Sequence, residues 1–212
     1  TFCMYGGAKA FGSKVMRIYE NYPAAVLNSS MTLIGTHDTV RAINALSGVD
    51  VGYTTKEQRR EIALYGDALT LAKKRMKIAS VLQYVLPGVP SLYYGDEVGL
   101  QGYEDPMNRA PFPWGKEDEE LLSHYRMLGE VRKKYREILL GGLNTTEQGE
   151  LLIVQRYAGG KSLFAVVNPT FEDRSLLCRK TKDARDIRTG RVLHSGDTVT
   201  VPAMDFLLLE SL

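Results

Sequence analysis

MTLIGTHD (residues 31–38) and VPSLYYGDE (residues 89–97) decide how this chain is read. Each is a short apolar run that ends abruptly on ionisable residues, His37-Asp38 in the first and Asp96-Glu97 in the second. Apolar runs of this length, bounded by turn signals, suit strands buried on both faces. Pro90 stands near the start of the second run, where a missing amide donor is tolerable.

Helical patterns surround these two runs. Residues 10–30 read as a helix ending at Asn21-Tyr22-Pro23, because Pro23 blocks continuation. Residues 39–48 read as a short helix stopped by Gly48. Thr54 with Glu57, or Thr55 with Gln58, has the spacing of a capping box. A helical stretch then runs to about Leu86, interrupted near Gly66. Its Leu69, Ala72, Met76, Ala79, Leu82 and Leu86 recur every three or four residues and predict one buried stripe. Residues 118–140 repeat the pattern with Leu121, Tyr125, Leu128, Val131, Tyr135 and Ile138 on one face.

After Gly141-Gly142 the period changes. LLIVQRY (151–157), SLFAVVN (162–168), RSLLC (174–178), VTV (199–201) and DFLLLES (205–211) are strand candidates, with Gly159-Gly160 a hairpin turn. The chain is therefore expected to be α/β followed by all-β, with residues 1–142 in one domain and 143–212 in a second. Strands alternating with helices build a parallel sheet, as in a (β/α) barrel or a doubly wound sheet. A complete barrel takes about 250 residues. The first part has far fewer and shows two strands, so its sheet is expected to be incomplete or very small.

Composition narrows the partners. Of 212 residues, 44% are hydrophobic and 25% charged, enough for a real core. A net charge of +2 gives no electrostatic reason to expect nucleic acid or an anionic membrane. The most apolar stretch, VLQYVLPGVPSLYY (81–94), is short and broken by two prolines, so it does not read as a membrane span. Cys3 and Cys178 lie at opposite ends and give neither a disulfide framework nor a metal-type spacing. TFCMYGGAKA has neither an initiator Met nor a signal-peptide pattern, and the expectation is a piece of a longer chain.

In parallel α/β folds the carboxyl ends of strands face the active site, which makes His37 and Asp38 candidates. The competing reading is that Asp38 caps the next helix and His37 is a packed loop residue.

LIGTHDTVRAINALSG (33–48) resembles a strand-end signature of the α-amylase family, glycoside hydrolase family 13. LPGVPSLYYGDEVGL (86–100) resembles that family's last barrel strand, and GYEDPMNRAPFPWGKED (102–118) follows as in neopullulanase- and amylopullulanase-type members. The resemblance implies the last two βα units of a (β/α)₈ barrel followed by a small antiparallel β-sandwich, domain C. It implies that His37 binds sugar hydroxyls in the cleavage subsite. Asp38 would be the third catalytic carboxylate, holding the 2- and 3-hydroxyls as the ring distorts. Asp105 and Arg109 match the loop that reaches the next sugar toward the non-reducing end. Asp96 and Glu97 match a structural position. Arg41 is expected either to steady Asp38, to contact substrate or to form a structural ion pair. Trp114 is expected in a packed corner, and His124 and His194 on the surface.

Retaining cleavage needs a nucleophilic carboxylate and an acid on opposite sides of the bond. The motifs that carry them in the family do not precede residue 31. The resemblance thus implies that the intact protein hydrolyses α-1,4 bonds of starch, pullulan or cyclodextrins, with α-1,6 bonds left open as a second target. The isolated chain is expected to be inactive, with no cofactor or metal of its own; calcium would belong to the parent. Self-association through the exposed barrel remnant is also expected. Two rival readings are a non-catalytic α-glucan-binding module and a free-standing α/β hydrolase using His37, Asp38 and Asp96.

Overall fold

The structure is a computed structural model that describes residues 7–178 and 183–212; Cys3 lies outside them. In chain order the first elements are α1 (Ala8–Asn21), α2 (Ala24–Ser29), β1 (Met31–Leu33), α3 (Ala42–Ser47), α4 (Lys56–Arg60), α5 (Gly66–Val85) and β2 (Val89–Ser91). Two single 3₁₀ turns follow, Asp96–Val98 and Met107–Arg109. The helical series closes with α6 (Glu119–Lys134) and α7 (Arg136–Leu140). The remaining strands are β3 (Gly142–Gln148), β4 (Leu151–Ala158), β5 (Lys161–Asn168), β6 (Arg174–Leu177), β7 (Ala184–Asp186), β8 (Val192–Leu193), β9 (Thr198–Val201) and β10 (Asp205–Ser211).

β1 and β2 pair in parallel, Met31 opposite Val89 and Leu33 opposite Ser91. They are shorter and more exposed than the sequence suggests: Met31 is 67% exposed and Leu33 50%. Each strand has one neighbour among the described residues, so the burial of a central strand is not available to it. Gln83 of α5 ties the pair from one side, its Nε2 donating to Thr32 O at 2.7 Å and Ser91 O at 3.1 Å.

The capping box falls on Thr55 and Gln58, not on Thr54 and Glu57. α5 is buried well beyond the stripe read from its period. Ala72, Met76, Ile78, Val81 and Val85 are all fully buried, because α3, α6 and the strands β5 and β10 pack around it.

The β elements form a six-stranded sheet in the order β3-β4-β5-β10-β7-β8, with a separate β6-β9 pair. Three strands, β3, β7 and β8, have no clear signal in the sequence; β7 and β8 are two or three residues long and β3 is largely polar. Alternation assigns the two sheet faces. Leu152, Val154, Leu163, Ala165, Val167, Phe206 and Leu208 join the core shared with the helices. Leu151, Phe164, Val166 and Leu209 turn the other way, onto Leu176, Val199 and Val201 of the β6-β9 pair. Between β4 and β5 both turn residues are left-handed, Gly159 at φ 54° and Gly160 at φ 74°, which permits the tight hairpin.

Arg156 of β4 is on the helix-facing side and fully buried. Its guanidinium donates to Val85 O at 2.8 Å, to Gly141 O at 3.1 Å, to Gly142 O at 3.2 Å and to Leu139 O. The Val85, Leu139 and Gly141 carbonyls close α5 and α7, where helices leave acceptors unpaired and carry partial negative charge, and that of Gly142 opens β3. Burial lowers the Arg156 pKa to about 10, so it stays charged at neutral pH.

His124 corrects an expectation: it is buried, not on the surface. α6 turns it inward, where Nε2 meets Ser80 Oγ of α5 at 2.8 Å and its ring packs edge-on to Phe206 of β10. Desolvation, helped by Lys77 and Arg188, lowers its pKa to about 3. His194 is exposed, with Nδ1 2.7 Å from Asp183.

Replacing Arg156 with Met leaves four carbonyls short of a donor. The urea midpoint of the full chain should fall by an amount equivalent to about 3 kcal/mol or more. Lys cannot match the fork geometry and should rescue only part of it. For His124 the unfolded state takes up a proton below about 6.5 and the folded state only near 3. Its contribution is therefore complete above pH 6.5 and is lost as pH falls toward 3. The stability advantage of the wild type over His124→Gln, from urea unfolding, should shrink between pH 7 and pH 5.

Candidate functional site

The loop after β1 is shaped by two hydroxyls. Thr39 Oγ1 accepts from Thr36 N at 3.2 Å, and Thr36 Oγ1 accepts from Asp38 N at 3.2 Å. This turn presents His37 and Asp38 outward, with side chains 64% and 73% exposed. Asp38 does not cap α3, whose N-terminus lies at Arg41 and has no side-chain cap. Its carboxylate stands 3.3 Å from His37 Nε2 instead.

The second contribution comes from the loop after β2. Arg109, on the second 3₁₀ turn, places Nε 3.0 Å from Asp105 Oδ1 and a terminal nitrogen 3.9 Å from Asp38 Oδ1. His37, Asp38, Arg109 and Asp105, four residues singled out in the sequence, thus form one continuous line of charged and polar side chains at the surface. The Asp105-Pro106 peptide bond is cis.

What joins the two loops is Asn108, which the sequence did not single out. It is fully buried, and its Nδ2 donates to His37 O and Thr39 O, both at 2.8 Å. Tyr93 and Tyr94 donate from their hydroxyls to Asn108 O at 3.3 Å and Ala110 O at 2.9 Å. Farther along, Gly102 N donates to Asn44 Oδ1 at 2.8 Å and Gly102 O accepts from Arg41 N at 2.9 Å. A Cβ at Gly102 would overlap the Met107 carbonyl, so the loop cannot close there with a larger residue. The only sequence signal for Asn108 is its place inside Asp-Pro-Met-Asn-Arg.

Beneath the site lies an ion pair. Arg41 is fully buried, 3.4 Å from Asp96 Oδ1, bonded to Tyr94 O and lying over the Tyr93 and Tyr94 rings at 4.2 and 4.7 Å. Of the three roles open to Arg41, it takes the structural ion pair. Asp96 lies so close under Gly35 that any side chain at 35 would strike its carboxylate. Burial raises the Asp96 pKa to about 6, with Arg41 opposing the rise. Between about pH 4 and 6 Asp96 therefore favours the folded state as pH falls, against the trend of His124. Buried under the strand end, Asp96 is not placed to join His37 and Asp38 in a free-standing hydrolase. Glu97 is half-buried beside it.

Trp114 departs from expectation: its side chain is 82% exposed, and the ring is tilted 4.5 Å from that of Phe112. Among the described residues no group of three or more His, Cys, Asp or Glu side chains is arranged to hold a metal. No helix there is long and apolar enough to cross a membrane.

An exposed imidazole, two carboxylates and a guanidinium in line offer the hydrogen-bond donors and acceptors that suit a hydroxyl-rich ligand. Over most of its length the chain is similar to known proteins. Amylopullulanase from Thermoanaerobacter thermohydrosulfuricus is 36% identical over 164 residues, covering 76% of this chain and 11% of that protein. Cyclomaltodextrinase from Geobacillus thermopakistaniensis is 26% identical over 170 residues, covering 78% of this chain and 25% of that protein. The solved structure of maltogenic amylase from S. marinus superposes with a TM-score of 0.73 at 26% identity, covering 96% of this chain and 25% of that one. The chain thus spans a quarter or less of the length of these relatives. No family model matches it. The chain belongs to the α-amylase family of glycoside hydrolases.

Asn108→Leu should free the carbonyls of His37 and Thr39 and cost about 1–3 kcal/mol in urea unfolding. Amide exchange at residues 38–41 should quicken while that of β4 and β5 stays unchanged.

Proposed function

We propose that this chain supplies the C-terminal part of a retaining α-glucan hydrolase. Residues up to 142 would be the last two βα units of a (β/α)₈ barrel, and residues 143–212 a β-sandwich of the domain C type. The observation that carries the reading is the surface line His37–Asp38–Arg109–Asp105, formed by residues of two separate loops.

In this reading His37 and Asp38 hold the hydroxyls of the sugar at the cleaved bond. Asp38 does so more strongly as the ring flattens toward the oxocarbenium-like state, which accelerates the reaction instead of merely tightening binding. Arg109, oriented by Asp105, reaches the neighbouring sugar. The bonds cleaved would be α-1,4, and α-1,6 in addition if the neighbouring subsites admit a branch, in starch, pullulan or cyclodextrins. The nucleophile and the acid would come from the rest of the barrel. Calcium, where the intact protein uses it, would be held there too. The open edges of β1 and β2, with Met31, Leu33 and Val89 exposed, favour association with further strands, either the rest of a barrel or a second copy. The exposure of the four polar residues also fits a non-catalytic α-glucan-binding module, since binding alone needs no other segment.

The test mixes the chain with a separately produced segment carrying the other six strands and assays pullulan and soluble starch. The chain alone should release no sugar, the mixture should be active, and Asp38→Asn should lower kcat of the mixture by about 10²-fold or more. Hydrolysis by the chain alone that Asp38→Asn abolishes would overturn the division of catalytic groups. A mixture that binds glucan and never cleaves it would favour the binding module.

A further inference from the structure

Trp114 and Phe112 lie outside the polar line and are used by nothing described so far. A tryptophan ring left 82% exposed is not unusual alone, but three features of this one are. Its backbone is stiff: Pro111 and Pro113 fix their own φ angles, Trp114 N donates to Phe112 O at 2.9 Å, and Lys116 N donates to Pro113 O at 2.9 Å. Its ring is braced by Phe112 at 4.5 Å, so little side-chain freedom remains to be lost on binding. The same loop is anchored at its start, where Ala110 O accepts from the Tyr94 hydroxyl at 2.9 Å.

Trp114 also stands close to the polar line in the chain. It lies five positions after Arg109, and five steps of chain span no more than about 18 Å even when extended. A short oligosaccharide held by Arg109 is within reach of the Trp114 ring. A pyranose has an apolar face of C–H groups and a rim of hydroxyls. It calls for a flat, polarisable aromatic surface beside charged hydrogen-bonding groups, and this loop places both on one rigid segment.

We propose that Trp114, braced by Phe112, is a stacking platform for an α-glucan chain, extending the polar site by at least one further sugar. The inference rests on the reading of His37, Asp38, Asp105 and Arg109 as a glucan site, and the experiment separates the two. Trp114 is the single tryptophan of the chain, so its fluorescence reports this position alone. The full chain is titrated with maltoheptaose, following emission and, in parallel, heat of binding for the wild type, Trp114→Ala, Trp114→Phe and Arg109→Ala. Circular dichroism melts check that each variant is folded.

The expected result is a saturable change in emission, affinity about tenfold weaker for Trp114→Ala, and most of the affinity kept by Trp114→Phe. Binding that Arg109→Ala weakens, with emission unchanged and Trp114→Ala binding as tightly as the wild type, overturns the platform and leaves the polar site standing. Loss on Trp114→Ala with no effect of Arg109→Ala upholds the platform and removes the polar line from it. No heat and no emission change at millimolar maltoheptaose overturns both.

Discussion

The buried guanidinium of Arg156 is the interaction on which the rest of the molecule leans. A charge placed in a protein interior is costly unless it is fully hydrogen-bonded. Here the donors of one side chain meet carbonyls that α5 and α7 leave without partners at their ends. Arg156 sits on β4, so the sheet is joined to the helices by a bond between a strand side chain and helix termini, in addition to the apolar core they share. The device recurs at other junctions. Arg132 of α6 donates to Tyr84 O and Gly88 O where α5 gives way to β2, and Arg75 donates to Leu46 O at the end of α3. Cations at helix C-termini also meet the favourable end of the dipole.

The site rests on a layered support. Asp96 and Arg41 form a buried pair beneath the strand ends, Asn108 stitches the two loops together, and only then do His37, Asp38, Asp105 and Arg109 reach solvent. Support of this kind keeps exposed side chains near one geometry without burying them, which a ligand-binding surface requires. The contrast with β1 and β2 is instructive. Their loops are tightly fixed while the strands themselves show exposed apolar faces, because each has one neighbouring strand among the described residues.

His124 and Trp114 show how an amphipathic reading goes astray in opposite directions. His124 falls on a helix with many charged neighbours and looks like surface, yet α6 turns it toward Ser80 and Phe206. Trp114, a large aromatic in a proline-rich stretch, is expected in a packed corner, yet the proline-bounded turn holds it in solvent. In both cases the side chain's own polarity was a weaker guide than the direction in which the backbone carries it.

Local chemistry was legible in the sequence wherever it depends on near neighbours. The helix periods of α5 and α6, the left-handed Gly48 that ends α3, the Gly159-Gly160 turn and the five apolar β runs all follow from short-range rules of backbone geometry. His37 and Asp38 stand out in the sequence at a strand end, and Asp105 and Arg109 in the Asp-Pro-Met-Asn-Arg loop; the structure brings these four side chains into one line. Three things needed the tertiary structure. The burial of α5 on nearly all sides depends on what packs around it; the roles of Asn108 and Arg156 depend on carbonyls up to 71 residues away. β3, β7 and β8 are too short or too polar to signal themselves, and exist because longer strands offer them an edge to pair with. A sequence states what each residue prefers nearby, whereas a long-range partner is set only when the chain has closed on itself.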